Sequence, residues 1–245
     1  MNTLHKSAVE LAGELAAANP TENPGVEVLI CPPFPYLLPV AAKIAGSPVR
    51  LGAQNAWCDP QGAFTGETAL DMLKDCGCQY VLIGHSERRA ILGESDSLLN
   101  RKLAAAKANG LTPILCVGEL LNERTAGLTE EVLDRQMLGA FHQIDEQTAS
   151  GVVIAYEPVW AIGTGVTASP EQAESAHEHL RKWLAARYTP AFSESTRILY
   201  GGSVKPDNAE TLLGQPNVDG ALVGGASLKT ASFVPIIRAA EKLVA

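Results

Sequence analysis

The chain has 245 residues and a formal net charge of −8, from 19 Lys and Arg against 27 Asp and Glu. With 46% apolar and 19% charged residues it has globular composition, which excludes a disordered or fibrous protein. It has no Lys/Arg-rich stretch for a nucleic acid and no apolar run of the ~18 residues that a membrane span needs.

Lys6, Glu10 and Glu14 interrupt the N-terminal segment, so it does not read as a signal peptide. Cys31, Cys58, Cys76, Cys78 and Cys116 are an odd set without a CxxC pair, which predicts reduced thiols and a cytoplasmic location. Cys76 and Cys78 have the wrong spacing for a zinc knuckle, and His177 and His179 diverge on a helix, so no metal site is expected.

In chain order, a helical pattern over 3–18 comes first. Seven apolar runs then follow at 26–31, 49–54, 80–84, 112–116, 151–156, 197–200 and 219–223. They are rich in Val, Ile and Leu without clean alternation, as strands buried on both faces of a parallel sheet are. Helical patterns separate them, the longest at 95–109, 129–147 and 170–187, with shorter ones at 35–45, 67–76, 206–213 and 227–243. Ser95 or Asp96 reads as one N-cap and Ser169, followed by Pro170, as another, and Gly77 and Gly110 read as helix ends. No linker interrupts the pattern, so residues 1–245 read as one domain. Repeated βα units predict a (β/α)8 barrel that lacks its first strand, with a doubly wound open sheet as the alternative.

Four strand ends carry chemistry. Gly84-His85-Ser86-Glu87-Arg88-Arg89 puts a His where a nearby helix start can hold it neutral. A structural His in an ion-pair cluster is the competing reading. Glu157 ends the fifth run and is followed by Pro158-Val159-Trp160-Ala161-Ile162-Gly163-Thr164. A carboxylate among apolar groups is a stronger base, and the segment after it has the Pro anchor and Gly hinge of a lid. Gly201-Gly202-Ser203 and Gly224-Gly225 follow the last two runs, where barrel enzymes place a phosphate site. Gly163-x-Gly165-x-x-Ala168 matches a dinucleotide fingerprint, but it starts six residues past Glu157 instead of tight against the strand.

Together the stretches Tyr156-Glu-Pro-Val-Trp-Ala-Ile-Gly-Thr-Gly165 and Gly84-His-Ser-Glu-Arg-Arg89 resemble the triosephosphate isomerase family, in order and over nearly the whole chain. The resemblance implies a cofactor-free isomerase that interconverts dihydroxyacetone phosphate and D-glyceraldehyde 3-phosphate through an enediolate, in glycolysis and gluconeogenesis. It implies that Glu157 is the base, His85 the neutral electrophile and Glu87 a supporting carboxylate. It further implies that Gly163, Ser203, Gly224 and Gly225 hold the phosphate and that 158–164 form the lid. The Glu base, neutral His and closing loop are a known pattern for this enzyme. Gly62 to Glu67 resemble the family's third loop, which implies a homodimer with Thr65 and Gly66 at the contact.

The family opens with a strand that carries an Asn and a Lys, whereas this chain opens at Met1-Asn2 and enters its first helix. The expectation is a start misplaced at an internal Met. Two competing functions remain at this point. One is a truncated relative that binds sugar phosphates or pairs subunits without turnover. The other is a different phosphate-binding barrel enzyme, which leaves the Glu157 lid unexplained.

Overall fold

The computed structural model describes residues 1–18, 25–163 and 166–244. Helix α1 (His5–Ala17) leads to strand β1 (Leu29–Ile30), a 3₁₀ turn at Phe34–Tyr36 and α2 (Leu37–Ile44). Strand β2 (Arg50–Ala53), α3 (Leu70–Asp75), β3 (Tyr80–Ile83), α4 (Ser86–Ala90) and α5 (Asp96–Ala108) follow. Next come β4 (Thr112–Val117), α6 (Leu121–Thr125), α7 (Thr129–Ala140), α8 (Glu146–Ala149) and β5 (Val153–Tyr156). A 3₁₀ turn at Val159–Ala161 precedes α9 (Pro170–Arg187), α10 (Pro190–Ser195), β6 (Ile198–Tyr200) and α11 (Ala209–Leu213). The chain closes with β7 (Gly220–Ala221), a 3₁₀ turn at Gly225–Leu228 and α12 (Thr230–Leu243).

All seven expected strands are present. They form one parallel sheet in the order β1 to β7, each strand paired with its sequence neighbour. The sheet curls. Leu82, Ile114, Cys116, Val153 and Ala155 pack with Leu29, Cys31, Leu199 and Leu222, so one face of every strand but β2 meets in a shared interior. The other face, with Val81, Ile83, Leu115, Val117, Ile154 and Tyr156, packs against the helices. This two-sided burial is why the runs lack alternation.

The strand ring stays open. Among the described residues no pairing joins β7 to β1. The helix ring nonetheless closes, because α12 meets α1. Thr230 Oγ1 donates to Glu14 Oε2 at 2.6 Å, and Ala8 and Ala12 of α1 share a core with Ile236 and Ile237 of α12. Beneath α1 a slot is left between β7 and β1, lined by Leu11, Val28, Leu29, Leu199, Ala221 and Phe233.

The caps fall where the sequence puts them. The Ser95 side chain accepts from the Leu98 N–H, and Ser169 forms a capping box with Gln172 ahead of Pro170. Gly77 and Gly110 end their helices at φ +87° and +73°, a conformation that favours glycine. Several helical expectations change: the pattern over 67–76 shortens to α3, and that over 35–45 starts as a 3₁₀ turn before α2. The pattern over 129–147 breaks into α7 and α8 around Gln143, whose φ is +54°. The pattern over 206–213 shortens to α11. That over 227–243 starts as a 3₁₀ turn, and α12 accommodates Pro235 within it. No helix among the described residues is long and apolar enough to cross a membrane.

Candidate active site

Glu157 directly follows β5, and its N–H donates to the Val117 carbonyl at 2.7 Å, one step beyond the β4–β5 register. Its side chain is 1% exposed. Two glycines make room for it. A Cβ on Gly118 would collide with the Glu157 carbonyl, and one on Gly201 would stand 2.9 Å from its Cγ. Glu157 Oε2 accepts from the Ser86 N–H at 2.8 Å, at the positive end of α4. Oε1 has no hydrogen-bond partner. The carboxylate is therefore held by one oxygen and presents the other.

His85 is the N-cap of α4. Its Nε2 stands 3.0 Å from Glu157 Oε1, close but out of line for a hydrogen bond. On the far side of the ring, Nδ1 accepts from the Glu87 N–H at 3.3 Å. An Nδ1 that accepts carries no proton, so the ring is neutral with its proton on Nε2. Burial pulls the His85 pKa down, but the Glu157 carboxylate, with help from Glu87, more than offsets it and the pKa is raised. The Glu87 N–H opposes that change, because protonating Nδ1 would set two N–H groups against each other. The Glu87 carboxylate lies 3.8 Å from Nδ1 and points largely to solvent.

Around this pair runs a cleft of about 1790 Å³. It brings together His85, Glu87, Glu157, Gly163, Ser203, Gly224 and Gly225. The volume exceeds the ~300–1,000 Å³ of an ordinary ligand site because the cleft runs on into the slot between β7 and β1. Gly224 caps the 3₁₀ turn at Gly225–Leu228, where the Ser227 N–H and hydroxyl both point back to the Gly224 carbonyl, at 3.0 and 2.7 Å. Ser203, Gly224 and Gly225 all line the same cleft. Thr65 and Gly66 do not line the cleft; they sit exposed on the 62–67 loop.

The segment after Glu157 is tied down from both sides, and its Val159 N–H donates to the Glu119 carbonyl at 3.1 Å. The Trp160 indole N–H donates to Glu119 Oε1 at 2.8 Å, and the Ser203 hydroxyl donates to the Ala161 carbonyl at 2.8 Å. Pro158, Val159 and Ile162 run between and beside these anchors, and Gly163 sits at φ +67°. Thr164 lies outside the described residues. Glu119 is fully buried and also accepts from the Tyr156 hydroxyl at 3.1 Å and from Arg124 at 3.3 Å. The Arg124 guanidinium lies 4.9 Å from the Trp160 ring centroid.

Gly118, Glu119 and Arg124 have no place among the expected site residues, and Ser86 and Gly201, which lie within expected stretches, here serve Glu157. One signal existed for Glu119: it is a charge placed directly after an apolar run and a glycine, at the end of a strand. A buried carboxylate there needs partners. The family model described as triosephosphate isomerase matches residues 1–240. A triosephosphate isomerase of Rhodopirellula baltica is 52% identical over 240 residues, covering 98% of this chain and 94% of the relative. That of Thiobacillus denitrificans is 51% identical over 239 residues, covering 98% and 96%. That of Chloroflexus aurantiacus is 54% identical over 211 residues, covering 86% and 84%.

Proposed function

The chain belongs to the triosephosphate isomerase family, and we propose from that premise that Glu157 and His85 perform its reaction. The reaction interconverts dihydroxyacetone phosphate and D-glyceraldehyde 3-phosphate. The observation that carries the assignment is the buried Glu157 carboxylate, with one oxygen anchored on Ser86 and the other free beside His85 Nε2.

The step balances without a cofactor. Glu157 Oε1 takes the proton from C1 of the ketose. The C–H electron pair becomes the C1–C2 double bond, and the carbonyl π pair moves onto oxygen. The His85 Nε2–H donates to that oxygen, and a neutral ring suits an enediolate because it donates without giving up its proton outright. Glu157 then returns the proton at C2 while the proton of the C1 hydroxyl passes, with His85 Nε2 beside both oxygens, to the C2 oxygen, and the new carbonyl forms at C1. The Glu87 N–H fixes the tautomer, and the Glu87 carboxylate stands beside the ring as a supporting charge. Gly163, Ser203, Gly224 and Gly225 hold the phosphate with N–H groups and a hydroxyl, an arrangement that suits an acidic protein because it needs no basic patch. The 158–164 segment closes over the intermediate, and exclusion of water protects the enediolate.

The working form is a cytoplasmic homodimer, with residues 1–245 in one domain. Thr65 and Gly66 reach the partner on a loop stiffened by the Trp57–Phe64 ring contact at 4.9 Å, and the exposed Ile91 and Leu92 beside His85 supply apolar surface to cover.

The test is turnover with either triose phosphate, for the chain as it stands and for Glu157→Gln. The expected result is isomerisation that Glu157→Gln lowers by at least about a hundredfold while inorganic phosphate competes with substrate. Saturable phosphate binding with no turnover in either protein overturns the reading. It favours instead a sugar-phosphate binder, the alternative for which the unfilled slot speaks.

A further inference from the structure

Lys102 is 1% exposed, the most deeply buried cation among the described residues, and it takes no part in the reaction above. It lies on α5, and its ammonium donates to two elements. Asn55 Oδ1 accepts at 2.7 Å, and Glu94 Oε1 accepts at 2.6 Å. The same ammonium stands 5.8 Å from the Trp57 ring centroid. Glu94 Oε1 also accepts from Arg88 Nε at 2.7 Å, and Arg88 is on α4, the helix that His85 caps. Glu94 Oε2 is buried without a partner, so the whole bridge passes through one oxygen.

Burial pulls the Lys102 pKa down more than Glu94 restores, and the pKa is lowered. Two cations face a single carboxylate here, with Glu67 of the 62–67 loop adding a second negative charge nearby. A buried cation of this kind costs several kcal/mol unless its partners are well placed. A buried Met would fill the same space without that cost. The ammonium is therefore worth its place only if what it ties together must not move.

Two pieces are tied. One is the base of the exposed loop, at Asn55 and Trp57, with the Trp57–Phe64 contact leading on to Thr65. The other is α4, which presents His85 to the cleft and the Ser86 N–H to Glu157. We propose that Lys102 is a positioning residue that locks the loop base at 55–57 to the His85-bearing helix, so that the surface offered to a second copy and the electrophile stay in register. The inference builds on the isomerase reading for its effect on rate, but its structural half stands apart from activity.

Hydrogen exchange and turnover together test it, with Lys102→Met against Leu103→Ala, a cavity-forming change one residue along the same helix. Lys102→Met is expected to raise exchange by about tenfold at both 55–57 and 85–90, the factor that corresponds to one lost charge-assisted hydrogen bond. Leu103→Ala is expected to loosen α5 and leave both segments unchanged. Where the unaltered chain turns over, Lys102→Met should lower kcat about tenfold at nearly constant KM, because it displaces His85 and not the phosphate glycines. The inference is overturned if the two variants exchange alike, or if Lys102→Met loosens only α5. It is also overturned if Lys102→Met turns over as the unaltered chain does. An unaltered chain that fails to turn over sinks the isomerase reading instead, and the exchange comparison still decides this one. If Lys102→Met does not fold, Arg88→Met replaces it. Exchange raised at 55–57 as well as at 85–90 upholds the bridge, and a rise confined to 85–90 breaks it.

Discussion

Strands β3, β4 and β5 each have a neighbour on both edges, and all their residues but Tyr80 and Thr112 are buried. Strands β1 and β7 have one neighbour each, pair over only two residues, and are half-buried throughout. The two sides carry different halves of the site. The proposed acid/base pair sits on the enclosed side, where β3 leads to His85 and β5 to Glu157. Two of the glycines proposed to hold the phosphate, Gly224 and Gly225, sit on the open side after β7. On this reading, chemistry that needs close placement falls to the stiff strands, and an anion site made of backbone N–H groups falls to the loose ones.

Truncating a side chain on each side gives the largest contrast. Leu115 on β4 is fully buried among helices, and Leu115→Ala should cost about 2–5 kcal/mol of unfolding free energy. Leu222, just past β7, is only half-buried in the slot, and Leu222→Ala should cost about 1 kcal/mol or less. Urea unfolding of both variants measures the difference. Equal losses would show that the open side packs its side chains as tightly as the enclosed one.

The same contrast explains what could be read from the sequence. The runs over 80–84 and 112–116 became strands almost residue for residue, because each found a partner on both edges. Those over 26–31 and 219–223 are as apolar but pair over two residues, since a hydrophobic pattern records burial and a ladder needs a neighbour. His85 and Glu157 were legible because each follows an apolar run directly. Glu119 and Lys102 were not. A buried charge looks like a surface charge until its partners are known, and Trp160 lies 41 positions from Glu119 and Asn55 47 from Lys102. The break at Gln143 was hidden for a different reason: its positive φ falls on a residue type that does not mark such a turn, with no Gly, Pro or Asn at that position.

Acid should act on the enclosed side in a way that one residue reports. His177 on α9 is fully buried, its ring edge-on to Tyr156 at 5.8 Å, and its Nδ1 is 3.1 Å from the Asn217 carbonyl. Nε2 has no partner. Burial lowers its pKa to about 4; the Asn217 carbonyl pushes the other way, and Arg181 adds to the lowering. In the unfolded chain the ring titrates near 6.5. The folded state thus binds fewer protons than the unfolded one between these values. Its stability is intact above about pH 6.5 and falls by up to ~3 kcal/mol as the pH drops to about 4. His177→Gln should flatten the stability profile over that window. Parallel profiles for the two proteins would show that the ring is hydrated and the enclosed side less dry than its burial indicates.

The smallest effect belongs to the open side. Glu27, ahead of β1, accepts from Arg197 Nη1, ahead of β6, at 2.7 Å and from the Tyr80 hydroxyl at 2.7 Å. This is a strap across the mouth of the curl, tying together stretches of chain that no strand pairing joins. Burial works to raise the Glu27 pKa, but the bonds from Arg197 and Tyr80 outweigh it and the pKa is lowered. The strap's stability is accordingly present above the ordinary glutamate value of about 4.3 and lost as the pH falls through the lowered one. Both side chains keep a third to a half of their surface in water, so the pair is screened and Arg197→Met should cost under ~1 kcal/mol, less still in high salt. A loss of 2 kcal/mol or more, insensitive to salt, would reverse the comparison. The strap would then be holding the curl shut, and the open side would owe its shape to one ion pair and not to the closed ring of helices outside it.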